Sequence, residues 1–135
     1  MIMPMSLAGR RILVVEDDMM IAVLIEEVLQ ELGCVVVGPV GKLDAALRLA
    51  GSEALDAAIL DVNIRGGHVY PAAERLQARG VPFVLASGYG DWALPEAFRN
   101  QPRLTKPFTY EELEAQMRLL FSVQEGDRPA LASPA

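Results

Sequence analysis

Residues 11–33, RILVVEDDMMIAVLIEEVLQELG, hold an unbroken apolar run, three consecutive acids, and a second apolar stretch closed by glycine. RILVV is continuous and rich in β-branched residues, the pattern of a strand buried on both faces of a parallel sheet. From Met19 onward the spacing of Ala22, Val23, Val28, Leu29 and Leu32 turns helical, and Gly33 fits the residue just past a helix end. A strand, a polar joint and a helix make one βα unit. The polar joint is unusual: Glu16, Asp17 and Asp18 repel one another at the edge of a core.

The same alternation continues outward. CVVVG (34–38), DAAIL (56–60) and VPFVLA (81–86) read as strands, and PRLT (102–105) as a weak fifth. Helices are expected after Pro39 through KLDAALRLA to Gly51, over HVYPAAERLQAR (68–79), and from Thr109 to about Val123. Thr109 and Glu112 have capping-box spacing. GYGDWALPEAFRNQ (88–101) is ambiguous, because two glycines and Pro95 shorten any helix there. The reading is an α/β chain, (βα)₅ and doubly wound, with helices on both faces of a five-stranded parallel sheet. Residues 1–9 are expected as an extension, 10–123 as the domain, and the Pro/Ala/Ser-rich 124–135 as a disordered tail.

Composition narrows the function. The chain has 135 residues, 52% of them hydrophobic, with a formal net charge of −6. That balance suits one globular domain and argues against nucleic-acid binding, which needs a basic footprint. Cys34 alone can build neither a disulfide framework nor a cysteine metal site. The first residues lack the order of a signal peptide, and no stretch approaches the roughly 20 apolar residues that span a membrane. A cytoplasmic protein is expected.

In such a sheet, ligands bind beyond the carboxyl ends of the strands. Glu16 and Asp17 end the first strand, Asp61 the third, Ser87 the fourth, and the fifth runs into Lys106. In the flavodoxin-like order 2-1-3-4-5 those ends are neighbours, about 4.8 Å apart. Each residue alone has an ordinary reading: acids at a helix start favour its dipole, Asp61 and Ser87 suit turns, and Lys106 suits solvent. His68, Arg75 and Arg79 are read as surface residues, the two arginines as a solvated helix face. Together, however, three carboxylates, a hydroxyl and an ammonium on one rim suit Mg²⁺ and phosphoryl transfer. Asp61 is the candidate nucleophile, forming an aspartyl phosphate.

VVED, DVN (61–63), LASGY (85–89) and TKPF (105–108) occur in that order, and with them the chain resembles a bacterial response-regulator receiver domain over about residues 10–123. The resemblance implies Glu16 and Asp17 as metal-binding acids, Asp61 as phosphoacceptor, and a backbone carbonyl of Asn63 as a further Mg²⁺ ligand. Ser87 would be the switch hydroxyl and Lys106 the phosphate-pairing lysine, with a cis bond before Pro107. PFVLASGYG further resembles the FATGUY subgroup, associated with the general stress response and HWE-type histidine kinases. Arg103 stands where many receivers carry a switch aromatic, so Tyr89 or segment 88–101 is the candidate replacement. Arg65 and two glycines after Asp61 point to a mobile loop.

The implied function is a stand-alone receiver, not a turnover enzyme and either monomeric or weakly dimeric. It would take a phosphoryl group from a histidine kinase or phosphotransfer protein and switch a protein contact. The alternatives are a phosphate sink or shuttle, or a Mg²⁺-dependent phosphohydrolase. Asn63, where such hydrolases commonly carry a second acid, counts against the last.

Overall fold

The computed structural model describes residues 7–88 and 94–132, with side chains to residue 122. Five strands form one parallel sheet: β1 (Arg11–Val15), β2 (Val35–Val40), β3 (Ala57–Asp61), β6 (Phe83–Ser87) and β7 (Arg103–Thr105), in the order β2-β1-β3-β6-β7. This is the expected 2-1-3-4-5 order. Two short strands, β4 (Asn63–Ile64) and β5 (Gly67–His68), form a separate antiparallel hairpin.

The period of two along each strand splits the core. Ile12, Val14, Ile59 and Val84 face one cluster, with Ile25 and Leu29 of α1 (Met19–Glu31) and Leu113, Met117 and Phe121 of α4 (Tyr110–Ala132). Leu13, Val15, Leu60 and Leu85 face the other, with Ala46 and Ala50 of α2 (Leu43–Ser52) and Ala72 and Leu76 of α3 (Tyr70–Ala78). One sheet with apolar residues on both faces needs a helix layer on each, and the small alanines of α2 and α3 let that pair pack closely.

Several ends differ from the sequence reading. Among the described residues the fourth crossover carries only a three-residue 3₁₀ turn, Glu96–Phe98, behind Pro95; Trp92 and Tyr89 lie outside the described residues. The last helix runs on to Ala132, so the backbone of 124–132, expected as disordered tail, is helical. Within the expected extension, Leu7 is buried in the core and the Gly9 amide donates to Gly33 O at 2.8 Å. Pairing with Asn63 places His68 in β5, where it stacks on Tyr70 and does not open α3.

Arg75 and Arg79 are not merely solvated. Arg75 Nη1 donates to Leu47 O at 3.0 Å, and Arg79 donates to Ala50 O and, at 2.7 Å, to Glu53 O. They satisfy carbonyls at the end of α2, where cations also suit the helix dipole. The capping box at Thr109 is formed in both directions, at 2.8 and 3.1 Å.

Candidate functional site

The joint after β1 divides its three acids. Asp18 caps α1, its Oδ1 accepting from the amides of Met20 and Ile21 at 3.0 and 3.3 Å. Glu16 turns inward and is 4% exposed; its Oε2 accepts from the Asp18 amide at 3.0 Å. Asp17, half-buried, offers a carboxylate oxygen within 4.8 Å of oxygens from Glu16 and Asp61. Asp61 ends β3 at 5% exposure, and its Oδ1 accepts from the Asn63 amide at 3.3 Å.

Lys106 comes from the far edge. β7 pairs with β6, and the Lys106 amide donates to Ser87 O at 2.8 Å, so the chain leaves the sheet beside buried Ser87. The bond to Pro107 is cis, as the resemblance implies, and so is Gly38–Pro39. Lys106 Nζ lies 3.0 Å from Asp61 Oδ2 and 2.9 Å from Glu16 Oε1. Glu16 Oε1 is buried, and the Lys106 ammonium is its charged partner.

The charges perturb one another. Burial, then the neighbouring Glu16 carboxylate, push the Asp61 pKa up to about 7, with Lys106 offsetting part of the rise. Burial works against the Lys106 ammonium, yet Glu16 and Asp61 outweigh it and raise its pKa. The donor set fits a hard divalent cation: three carboxylates whose oxygens lie within 4.8 Å of one another, with no histidine or cysteine among them.

The structure thus gathers Glu16, Asp17, Asp61, Ser87 and Lys106, with Asn63 adjoining. Arg103 is exposed at the start of β7. The loop after Asp61 is tied down where mobility was expected. The Arg65 amide donates to Gly41 O at 3.1 Å, Leu43 N to Arg65 O at 2.9 Å, and Val69 N to Val62 O at 2.9 Å. Its Gly66-Gly67 pair takes positive φ angles of 96° and 130°, so the glycines permit a tight hairpin. That pair was the one sequence signal for the hairpin, and Lys42 and Arg65 are the cations near the site that sequence reasoning missed.

The model of the response regulator receiver domain matches residues 12–118. The chain belongs to that family. It is thereby the receiver domain of a phosphoacceptor family in two-component signalling. It is 32% identical over 114 residues to the uncharacterized transcriptional regulatory protein YbdJ of Bacillus subtilis, covering 82% of this chain and 50% of that one. It is 31% identical to the transcriptional regulatory protein PdtaR of Mycobacterium tuberculosis, covering 84% and 57%. The chain therefore spans about half the length of these curated relatives.

Among solved structures, SdrG from Sphingomonas melonis Fr1 is 42% identical, covering 85% of this chain and 96% of that one, with TM-score 0.71. The receiver domain of the sensor histidine kinase PA1611 from Pseudomonas aeruginosa PAO1 is 26% identical, covering 85% and 99%, with TM-score 0.69. Its structure has a magnesium ion coordinated in the active-site cleft. Among the described residues of this receiver, no helix is long and apolar enough to cross a membrane.

A close backbone approach holds Asp17 in position. A Cβ built on Gly41 would stand 2.9 Å from Asp17 Cα and 3.1 Å from its Cβ. Backbone, not a flexible side-chain tip, blocks that space, so Gly41→Ala must move the β2–α2 connection or Asp17. We expect about a tenfold weaker Mg²⁺ affinity in this variant by titration calorimetry, in the range of disturbed ligand support. Wild-type affinity in Gly41→Ala would show that Asp17 is held by other means.

Proposed function

We propose that this receiver accepts a phosphoryl group on Asp61 in the presence of Mg²⁺ and thereby switches a protein–protein contact. The observation that carries the reading is the buried Asp61 carboxylate held 3.0 Å from Lys106, with Glu16 and Asp17 oxygens within 4.8 Å. Glu16, Asp17, Asp61 and the Asn63 carbonyl would hold the cation, which when bound neutralises charge on the transferring oxygens.

The rest is work of this chain's own side chains. The ionised Asp61 oxygen forms a bond to phosphorus. In a phosphohistidine donor the phosphorus–nitrogen bond breaks, and the imidazole nitrogen leaves with the electron pair. Lys106 turns from the carboxylates to a phosphoryl oxygen, and the Ser87 hydroxyl donates to another. The donor would be a histidine kinase, of HWE kind by the PFVLASGYG segment, or a phosphotransfer protein. Met19 and Met20, 78% and 83% exposed just after the acidic pair, give such a protein an apolar contact.

Incubation with acetyl phosphate and Mg²⁺ should add one phosphoryl mass to the intact protein, and EDTA should prevent it. A protein whose mass never changes under these conditions is not a phosphoacceptor.

A further inference from the structure

The cavity beside the acidic cluster is lined by charges of both signs. About 420 Å³ in volume, it carries Glu16, Asp17 and Glu26 together with Lys42 and Arg65 in an otherwise largely apolar lining. The backbone holds these two cations side by side: Lys42 and Arg65 form an isolated parallel bridge, and Arg65 is hydrogen-bonded through both its amide and its carbonyl. They come from loops 23 residues apart in sequence, so the fold itself creates the pair.

Both side chains are exposed, and neither has an ion-pair or hydrogen-bond partner among the described residues. Asp44, which lines a neighbouring cleft with them, makes no ion pair with either and accepts from the Ala45 amide through Oδ1 at 2.7 Å. Two like charges carried on bridged backbone positions repel each other, and a dianion near them relieves that repulsion. The acids lining the same cavity would otherwise turn such a dianion away.

We propose that Lys42 and Arg65 form a cationic rim that draws the phosphoryl dianion of the donor into this cavity. The inference rests on the phosphoacceptor reading of Asp61. The rim takes no part in bond making; it raises the local concentration of the donor's anionic group. A phosphoryl dianion arrives either on a small acyl phosphate or on a phosphohistidine, so the test needs both chemistries.

Wild type and the double variant Lys42→Gln/Arg65→Gln are compared at saturating Mg²⁺, with acetyl phosphate and with phosphoramidate, whose phosphorus–nitrogen bond matches that of phosphohistidine. At about 0.01 M ionic strength, where screening reaches only beyond ~30 Å, the double variant should gain phosphoryl mass about tenfold more slowly. At about 1 M, where screening acts within ~3 Å, the two should converge. Slowing with only one donor would support the rim and assign its source. Mg²⁺ affinity, measured separately by calorimetry, should move the opposite way and tighten, because two cations near the carboxylates are gone.

Equal low-salt rates with both donors would overturn the rim while leaving Asp61 as phosphoacceptor, and weaker Mg²⁺ binding would also overturn it. A wild type that gains no phosphoryl mass would sink both readings.

Discussion

Asp61→Asn should abolish phosphoryl gain from acetyl phosphate and, in the absence of divalent ions, make the protein more stable. The first effect follows from removing the carboxylate that ends the central strand β3 and stands 3.0 Å from Lys106. The second follows from what that carboxylate costs when ionised. Its pKa is about 7 in the fold, against an ordinary 3.8, so the folded state favours the proton. Sign follows from linkage: between about pH 4 and 7 the folded state binds more protons than the unfolded one, and stability falls as pH rises.

Above pH 7 the full cost is present. Three units would be worth about 4 kcal/mol at most, and losing the Lys106 ion pair takes some of it back. A net gain of about 2 kcal/mol at pH 8 would raise the melting temperature by roughly 5–10 °C for a domain of this size. The gap between variant and wild type should close toward pH 4. A variant that still gains phosphoryl mass at the wild-type rate would remove Asp61 from the chemistry. One that melts lower than wild type at pH 8 would show that Asp61 stabilises the fold when ionised.

How much of this was legible in the sequence depends on how local the signal is. The strands announce themselves because apolar runs stop abruptly at Glu16, Asp61 and Ser87, and parallel order then forces those ends together. The capping box and the Asp18 cap are legible because they act within three residues. What was hidden is tertiary. Arg75 and Arg79 find their carbonyls 26 to 29 residues away on α2, a partner no periodicity can reveal. The β4–β5 hairpin has two residues per strand, too few to make an alternating pattern. The Lys42–Arg65 pair exists only because β2 and β3 both flank β1, so that the loops following them meet. The replacement for the missing aromatic at Arg103 turned on Tyr89, which lies outside the described residues.

Lys106→Met should be the most destabilising single change at the site, and Mg²⁺ should reverse much of it. The Lys106 ammonium stands within 3.0 Å of both Glu16 and Asp61, whose side chains are 1% and 7% exposed. Methionine keeps the apolar stem and removes the charge, leaving two carboxylates buried and unpaired. Breaking a buried ion pair from one side typically costs about 3–5 kcal/mol. That loss should appear at pH 8 in EDTA and shrink as pH falls, because Asp61, its pKa already raised, escapes the repulsion by taking a proton.

Millimolar Mg²⁺ should stabilise the variant more than the wild type, since the same ligands then bind the cation without a competing ammonium. Adding Asp61→Asn to Lys106→Met should recover more stability than the same change gives the wild type, and that excess is the coupling between the two sites. Phosphoryl gain should nevertheless stay far below wild type in Lys106→Met even at saturating Mg²⁺, because no ammonium remains to pair with the phosphoryl oxygen. Two results would defeat this account: wild-type stability of Lys106→Met in EDTA at pH 8, or equal stabilisation of both proteins by Mg²⁺. Mg²⁺ can thus replace Lys106 in stability but not in phosphoryl transfer, because one ammonium balances the carboxylates before transfer and the phosphate after it.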